Sequence, residues 1–128
     1  MKRVDAAYRA MDFEFFGKGR HQVSLPEFLK QGGGVIVDLR SGREAAVLPI
    51  RIEKAARTIN VPLDELPDRL KEIPADVPVG LFCSADTRSA MALAYLRSHG
   101  HENARILAGG YSSLVEELKP GKLFKTDI

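Results

Sequence analysis

The chain of 128 residues contains a single cysteine, Cys83, in a setting that favours chemistry. It directly follows the apolar run 79–82, and an alanine-rich helical pattern begins near Arg88. This order predicts a thiol at the end of a buried strand, facing the N-terminus of a helix. Free N–H groups and the helix dipole there stabilise the thiolate, which is the nucleophilic form of cysteine. A solitary buried cysteine is more often inert, but this position favours a nucleophile.

Polar and cationic residues are predicted to surround this thiol. We expect the amides of residues 84–89 to curl toward the sulfur and form an anion-binding nest. Arg88 would add a cation near the mouth of that loop. Arg40 also follows a predicted strand and is expected at the same edge of the sheet, where it either contacts substrate or supports the scaffold. Asp38 is expected to be structural, in an ion pair or with loop amides.

Strands and helices alternate along the rest of the chain. Short β-branched runs predict strands, the spacing of apolar residues predicts helices between them, and such alternation implies a mostly parallel sheet with helices on both faces. The predicted strands cover 35–39, 57–61, 79–82 and 104–107. The first predicted helix of the main domain begins at a Ser24–Glu27 capping box. Further helices are predicted at 43–48, around 66–73, at 88–98 and at 111–118. The helix 88–98 is apolar nearly all round and is expected to be well buried.

The first 22 residues are predicted to be an extension that precedes a main domain of residues 23–128. Val4, Ala7, Tyr8 and Met11 have the spacing of a short amphipathic helix. A cluster of three phenylalanines at 13, 15 and 16 follows, and we expect it to pack against the domain, with a homodimer contact as the alternative.

Composition limits the classes of function. A net charge of +2 with scattered Lys and Arg does not favour a nucleic-acid partner. No apolar run is long enough to span a bilayer, and the N-terminus lacks the apolar region of a signal peptide. One cysteine excludes an internal disulfide and a cysteine-rich zinc site. We therefore expect a cytoplasmic protein, monomeric or homodimeric, with no membrane partner, no metal and no cofactor.

Four motifs in this order resemble the rhodanese family. They are Val-Asp-Leu-Arg at 37–40, Ile-Asn-Val-Pro-Leu at 59–63, Cys-Ser-Ala-Asp-Thr-Arg-Ser at 83–89, and Gly-Gly at 109–110. The resemblance covers residues 24–118 and implies a sulfurtransferase with a five-stranded parallel sheet flanked by helices. It implies that Cys83 takes sulfane sulfur from thiosulfate or a persulfide and passes it, as a persulfide, to cyanide or a thiol. The substrate-binding residues would be Ser84, Ala85, Asp86, Thr87, Arg88, Ser89 and Arg40, with Asp38 structural near the site.

Details of the loop separate the alternatives. Because the chain has no second cysteine, the acceptor must be external: a small molecule or a protein thiol. Cysteine-dependent phosphatases and arsenate reductases resemble a pattern with one more residue between cysteine and arginine than the four present here. That difference disfavours both activities. A rhodanese-like module that binds a partner, or senses persulfide or oxidants with little turnover, is the runner-up.

Two loop positions depart from the family pattern and bear on the donor. Ser84 stands where a basic residue is common, and Asp86 stands where a glycine is common. A carboxylate near the thiol would oppose thiosulfate, so we expect Asp86 to point outward or to pair with a cation. The familiar Gly-His-Ile segment is also absent, and residues 51–55 stand in its region. We expect Ser89 to cap the following helix, and the three histidines to be surface or capping residues.

Overall fold

A computed structural model describes residues 2–50 and 56–117. Residues 51–55, which stand in the region of the absent Gly-His-Ile segment, lie outside these ranges. So does Leu118, the last residue of the predicted helix 111–118. The helices are α1 (Lys2–Ala10), α2 (Phe13–Gly17), α3 (Leu25–Gln31), α4 (Gly42–Val47), α5 (Leu66–Arg69), α6 (Thr87–Ser98) and α7 (Gly110–Glu117). The strands are β1 (Gln22–Val23), β2 (Val35–Asp38), β3 (Arg57–Asn60), β4 (Val79–Phe82) and β5 (Ala104–Leu107). Short 3₁₀ turns flank α5 at Leu63–Glu65 and Leu70–Glu72.

The five strands form one parallel sheet in the order β1-β5-β4-β2-β3. The predicted fold class is confirmed. Four of the strands coincide with the predicted runs, and the fifth, β1, lies in a segment that the residue pattern did not identify as a strand. It has two residues, too few for side-chain alternation to be recognised.

Alternate side chains of the strands pack into two separate apolar clusters, one on each face of the sheet. On one face Val37 and Leu81 pack with Leu96 of α6. On the other face Ile36 and Phe82 pack with side chains of α3 and α7. The first cluster also includes Leu39 and Cys83, the residues directly after β2 and β4. Packing of the helices on the sheet therefore holds the starts of the loops that follow these strands.

Local sequence signals explain most of the helix ends. Ser24 Oγ accepts the N–H of Glu27 at the start of α3, and Gly32, with φ 68°, follows its last turn. The reciprocal capping box is found instead at α4, where Ser41 and Glu44 exchange side-chain and backbone bonds. The expectation for α6 is wrong in one respect: Met91 is exposed, because this helix buries only the face that carries Ala92, Leu93 and Leu96.

The N-terminal helix α1 packs against α6, and Arg3 contacts the ring of His99. Within the phenylalanine cluster, Phe15 is buried beneath the guanidinium of Arg97, whereas Phe13 is 92% exposed. The expectation that the cluster packs against the domain is therefore wrong for Phe13. The division into an extension of residues 1–22 and a domain of residues 23–128 stays a prediction.

Candidate active site

Cys83 lies directly after β4, at the carboxyl edge of the sheet. Its Sγ accepts the backbone N–H of Ser89 at 3.3 Å, in the first turn of α6. The side chain also packs with the cluster that includes Leu81 and Leu93, and the residue is only 1% exposed. The predicted nest of amides is thus represented by one N–H donor on the sulfur. The sulfur is therefore almost completely covered in this structure.

Ser89 does not cap α6 as expected. It lies inside the first helical turn, where its Oγ donates to the carbonyl of Leu81 at 3.2 Å. Asp86 occupies the N-cap position, with no side-chain capping bond. The physical reason is that Ser89 faces the sheet and is fully buried, so its hydroxyl satisfies a strand carbonyl. Ser89 therefore ties α6 to β4 while its amide contacts the sulfur.

Asp86 has the only positive φ among the described non-glycine residues, at 67°. Aspartate tolerates this left-handed conformation better than most residues. Its Oδ2 accepts the N–H of Gly109 at 3.1 Å, while its Oδ1 is buried without a hydrogen-bond partner. The expectation that Asp86 points outward or pairs with a cation is wrong, because the loop closes against the turn that begins α7.

Arg88 lies at the loop mouth, as predicted, but its charge is already matched. Its guanidinium donates to both carboxylate oxygens of Glu44, at 2.7 and 3.1 Å, and to Ser84 Oγ at 3.0 Å. These bonds from Arg88, with a further one from the backbone N–H of Ser41, lower the pKa of Glu44 to about 2. The pKa of Arg88 is raised, first by its bond to Glu44 and to a smaller extent by the nearby Cys83 and Tyr111. An ion pair therefore links α4 to residues 84–89, which we call the cysteine loop and which include the first turn of α6.

Arg40 lies beside the loop but beneath the surface. It is 0% exposed, and its Nε and Nη2 donate to the Asp38 carboxylate at 2.8 and 2.7 Å. Its Nη1 donates to the Leu48 carbonyl and the Tyr111 hydroxyl, and the guanidinium lies 5.1 Å from the centre of the Phe82 ring. Its pKa is raised, above all by its bonds to Asp38. Of the two roles considered for Arg40, this geometry favours scaffold over substrate contact.

The remaining loop residues differ in what they can do. Ser84 is half-buried, accepts Arg88 through Oγ, and accepts the N–H of Tyr111 through its carbonyl at 3.2 Å. Ala85 and Thr87 are exposed. The loop therefore presents positions 85 and 87 to solvent, while Ser84 and Asp86 attach it to the start of α7.

The sequence reasoning missed two neighbours of the site, Glu44 and Tyr111, and did not predict how closely Gly110 approaches the loop. A Cβ at Gly110 would lie 2.8 Å from the carbonyl carbon of Ser84, so only glycine lets α7 begin this close to the loop. The capping pattern at Ser41–Glu44 was available as a signal for α4. It could not show that Glu44 reaches Arg88, because that contact spans 44 residues of sequence.

The described residues contain no group of three or more His, Cys, Asp or Glu side chains that could hold a metal ion. Over the same ranges, no helix is both long enough and apolar enough to cross a membrane. The expectation for the histidines is wrong for His101, which is buried and whose Nε2 lies 3.0 Å from the carbonyl of Ile73.

Comparison with known families agrees with this geometry. The rhodanese-like domain model matches residues 22–117, from β1 to the end of α7. This chain belongs to the rhodanese-like domain family. The match includes Cys83, its loop, and both ion pairs beside it.

Two curated relatives share part of the sequence. An uncharacterized protein of Bacillus subtilis is 36% identical over 63 residues, which cover 49% of this chain and 50% of that protein. A protein of Allochromatium vinosum named sulfurtransferase is 32% identical over 78 residues, covering 59% of this chain and 66% of that protein. The chain therefore spans between half and two thirds of the length of these relatives.

A solved structure with a similar fold is the human single-domain sulfurtransferase. It superposes with a TM-score of 0.63 at 30% identity, and the match covers 77% of this chain and 98% of that one. This likeness supports the rhodanese-like fold of the whole sheet.

Proposed function

We propose that this chain is a sulfurtransferase that carries sulfane sulfur on Cys83. The observation behind the proposal is the position of Sγ: it lies at the end of β4 and accepts the Ser89 N–H at the start of α6. A backbone donor and a helix N-terminus both stabilise negative charge on sulfur. Membership of the rhodanese-like family and the names of its relatives give the proposal further support.

In the first half of the cycle the thiolate attacks the outer sulfur of a donor. With thiosulfate, a new bond joins Sγ to that sulfur, the sulfur–sulfur bond of the donor breaks, and sulfite leaves with the electron pair. With a persulfide R–S–SH, the leaving group is the thiolate R–S⁻. In both cases Cys83 becomes a persulfide and no external oxidant is needed.

In the second half an external nucleophile removes the sulfur. Cyanide would leave as thiocyanate, and a thiol would leave as a persulfide, each regenerating the Cys83 thiolate. These 128 residues contain no second cysteine, so no other thiol within them can accept the sulfur. A lone functional thiol fits a reducing compartment, and we propose a cytoplasmic location on that ground.

Intact-mass measurement tests the proposal directly. After incubation with thiosulfate or a small persulfide, the protein should gain the mass of one sulfur atom and lose it again on addition of cyanide. The Cys83→Ser variant should gain none. Failure of every donor to load the wild-type protein would contradict the proposal.

The burial of Cys83 favours a second candidate, a module that binds a partner or senses persulfide with little turnover. The residue is 1% exposed, and its loop is attached to α4 through Arg88 and to the start of α7 through Asp86. This burial restricts the access of both donor and acceptor to Sγ, so turnover would be low. Stoichiometric loading without transfer to cyanide or to any thiol would identify this second function.

A further inference from the structure

Free positive charge near the sulfur would favour a dianionic donor, and the described residues that contact the loop of residues 84–89 supply none that is unpaired. The two arginines beside it are both paired with a carboxylate. Arg88 binds Glu44 through both terminal nitrogens, and the low pKa of Glu44, about 2, means that this carboxylate is ionised throughout the neutral range. Arg40 is 0% exposed and binds both carboxylate oxygens of Asp38, through Nε and Nη2.

Asp86 adds a further carboxylate to the same loop. In the sequence it lies midway between Cys83 and Ser89, the residue whose N–H contacts the sulfur. One carboxylate oxygen is held by the Gly109 N–H, which fixes the side chain against the loop. The other oxygen, Oδ1, is buried without a partner, so no described donor screens it by a hydrogen bond.

These charges act on the two classes of donor differently. Thiosulfate carries two negative charges and its leaving group is the sulfite dianion, so a fixed carboxylate on the same loop repels both the approaching donor and the departing sulfite. A small persulfide carries at most one negative charge on its reacting sulfurs. Repulsion from a single carboxylate at short range is enough to change a rate constant by about tenfold.

We propose that Asp86 is a specificity-determining residue that excludes thiosulfate and directs this site to persulfide donors. The inference rests on the proposed sulfur transfer through Cys83. In the favoured step the Cys83 thiolate attacks the outer sulfur of R–S–SH. The bond between Sγ and that sulfur forms, the bond to the inner sulfur breaks, and R–S⁻ leaves with the electron pair.

Two substitutions at position 86 separate its charge from its hydrogen bond. Asp86→Asn keeps an oxygen for the Gly109 N–H and tolerates the positive φ, but removes the charge. Asp86→Gly accepts the same φ and removes both. Asp76→Asn is the matched control, because Asp76 is exposed and precedes β4, at the opposite end of the sheet from the loop.

The measurement is the initial rate at which Cys83 gains one sulfur, by quenched intact mass, from thiosulfate and from the persulfide of 2-mercaptoethanol. The wild-type protein should load much faster from the persulfide. Asp86→Asn should raise the thiosulfate rate by about tenfold and leave the persulfide rate within about twofold. Asp76→Asn should change neither rate.

The possible failures are distinguishable. If wild-type protein loads equally fast from both donors, or if Asp86→Asn leaves the thiosulfate rate unchanged, the role of Asp86 is refuted while sulfur transfer stands. An equal rise in Asp76→Asn would attribute the effect to net charge and also refute it. A rise in Asp86→Gly without one in Asp86→Asn would assign the effect to the Gly109 bond instead of the charge. If neither donor loads Cys83, the proposed function itself fails.

Discussion

Two bidentate arginine–carboxylate pairs lie at the same edge of the sheet, and they differ in burial. The Arg40–Asp38 pair joins the last residue of β2 to the turn that follows it and has side-chain exposures of 0% and 4%. The Arg88–Glu44 pair joins two different elements, α6 and α4, with exposures of 29% and 38%. One pair is part of the interior, and the other lies at the surface of the cysteine loop.

This difference in burial indicates that the first pair supports the fold and that the second is more easily altered. Every nitrogen of the Arg40 side chain has a hydrogen-bond partner, and two aromatic rings pack against the guanidinium. Solvent competes for the Arg88 pair, so that pair contributes less to stability than the buried one. The buried pair fixes where β2 ends, and the exposed pair holds the loop of residues 84–89 against α4.

The largest effect is expected from breaking the buried pair. Asp38→Asn would leave the Arg40 cation buried without its counter-ion, which costs about 3–5 kcal/mol of unfolding free energy. Urea unfolding followed by circular dichroism would measure the loss. Adding Arg40→Met should recover part of it, because the double variant no longer buries a lone charge. A single-variant loss below about 1 kcal/mol would show that the pair is not the structural anchor described here.

A second substitution tests how tightly the start of α7 confines the loop. In Gly110→Ala the new methyl group would collide with the backbone of Ser84, and the φ of 53° adds strain. Gly100→Ala is the matched control, because it also has a positive φ, 89°, but open space around its Cβ. We expect Gly110→Ala to destabilise the fold by about 1–3 kcal/mol more than the control and to slow sulfur loading of Cys83.

Equal losses in the two glycine variants would mean that the loop yields easily to the turn. Unchanged loading in Gly110→Ala would separate the turn from the chemistry. Either outcome would contradict the expectation that the start of α7 confines the cysteine loop.

Local patterns predicted the parts of this fold that local physics determines. The β-branched runs at β2 and β3 and the apolar run at β4 identified buried strands, since side chains of parallel strands are covered on both faces. Because parallel strands end at a common edge, the sequence also predicted that Arg40 and Cys83 lie near each other. The two-residue strand β1 was missed, because its pairing with β5 is entirely a tertiary effect.

The chemistry around Cys83 was harder to predict because its partners are distant in sequence. Nothing near Arg88 indicates Glu44, and nothing near Asp86 indicates the Gly109 amide, which is 23 residues away. Ser89 was expected to cap a helix from its residue type alone. Its actual contact with Leu81 depends on how α6 sits over the sheet, which sequence spacing does not specify.

The smallest expected effect is an acid titration that reports on the exposed pair. The pKa of Glu44 is lowered to about 2 from an ordinary value of 4.5, first by Arg88 and then by the Ser41 N–H. A carboxyl whose pKa falls on folding stabilises the folded state above its unfolded pKa and loses that effect as the pH falls through the folded value. The contribution of Glu44 should therefore be complete above pH 4.5 and disappear as the pH falls toward 2.

In Arg88→Met the pKa of Glu44 should rise toward 4.5 without reaching it, because Ser41 still donates. Carboxyl-carbon NMR of both proteins would measure the two values. A wild-type Glu44 that titrates at its ordinary pKa would show that the ion pair is open in solution, leaving Arg88 free to bind an anion and removing one of the two reasons for expecting thiosulfate to be a poor donor.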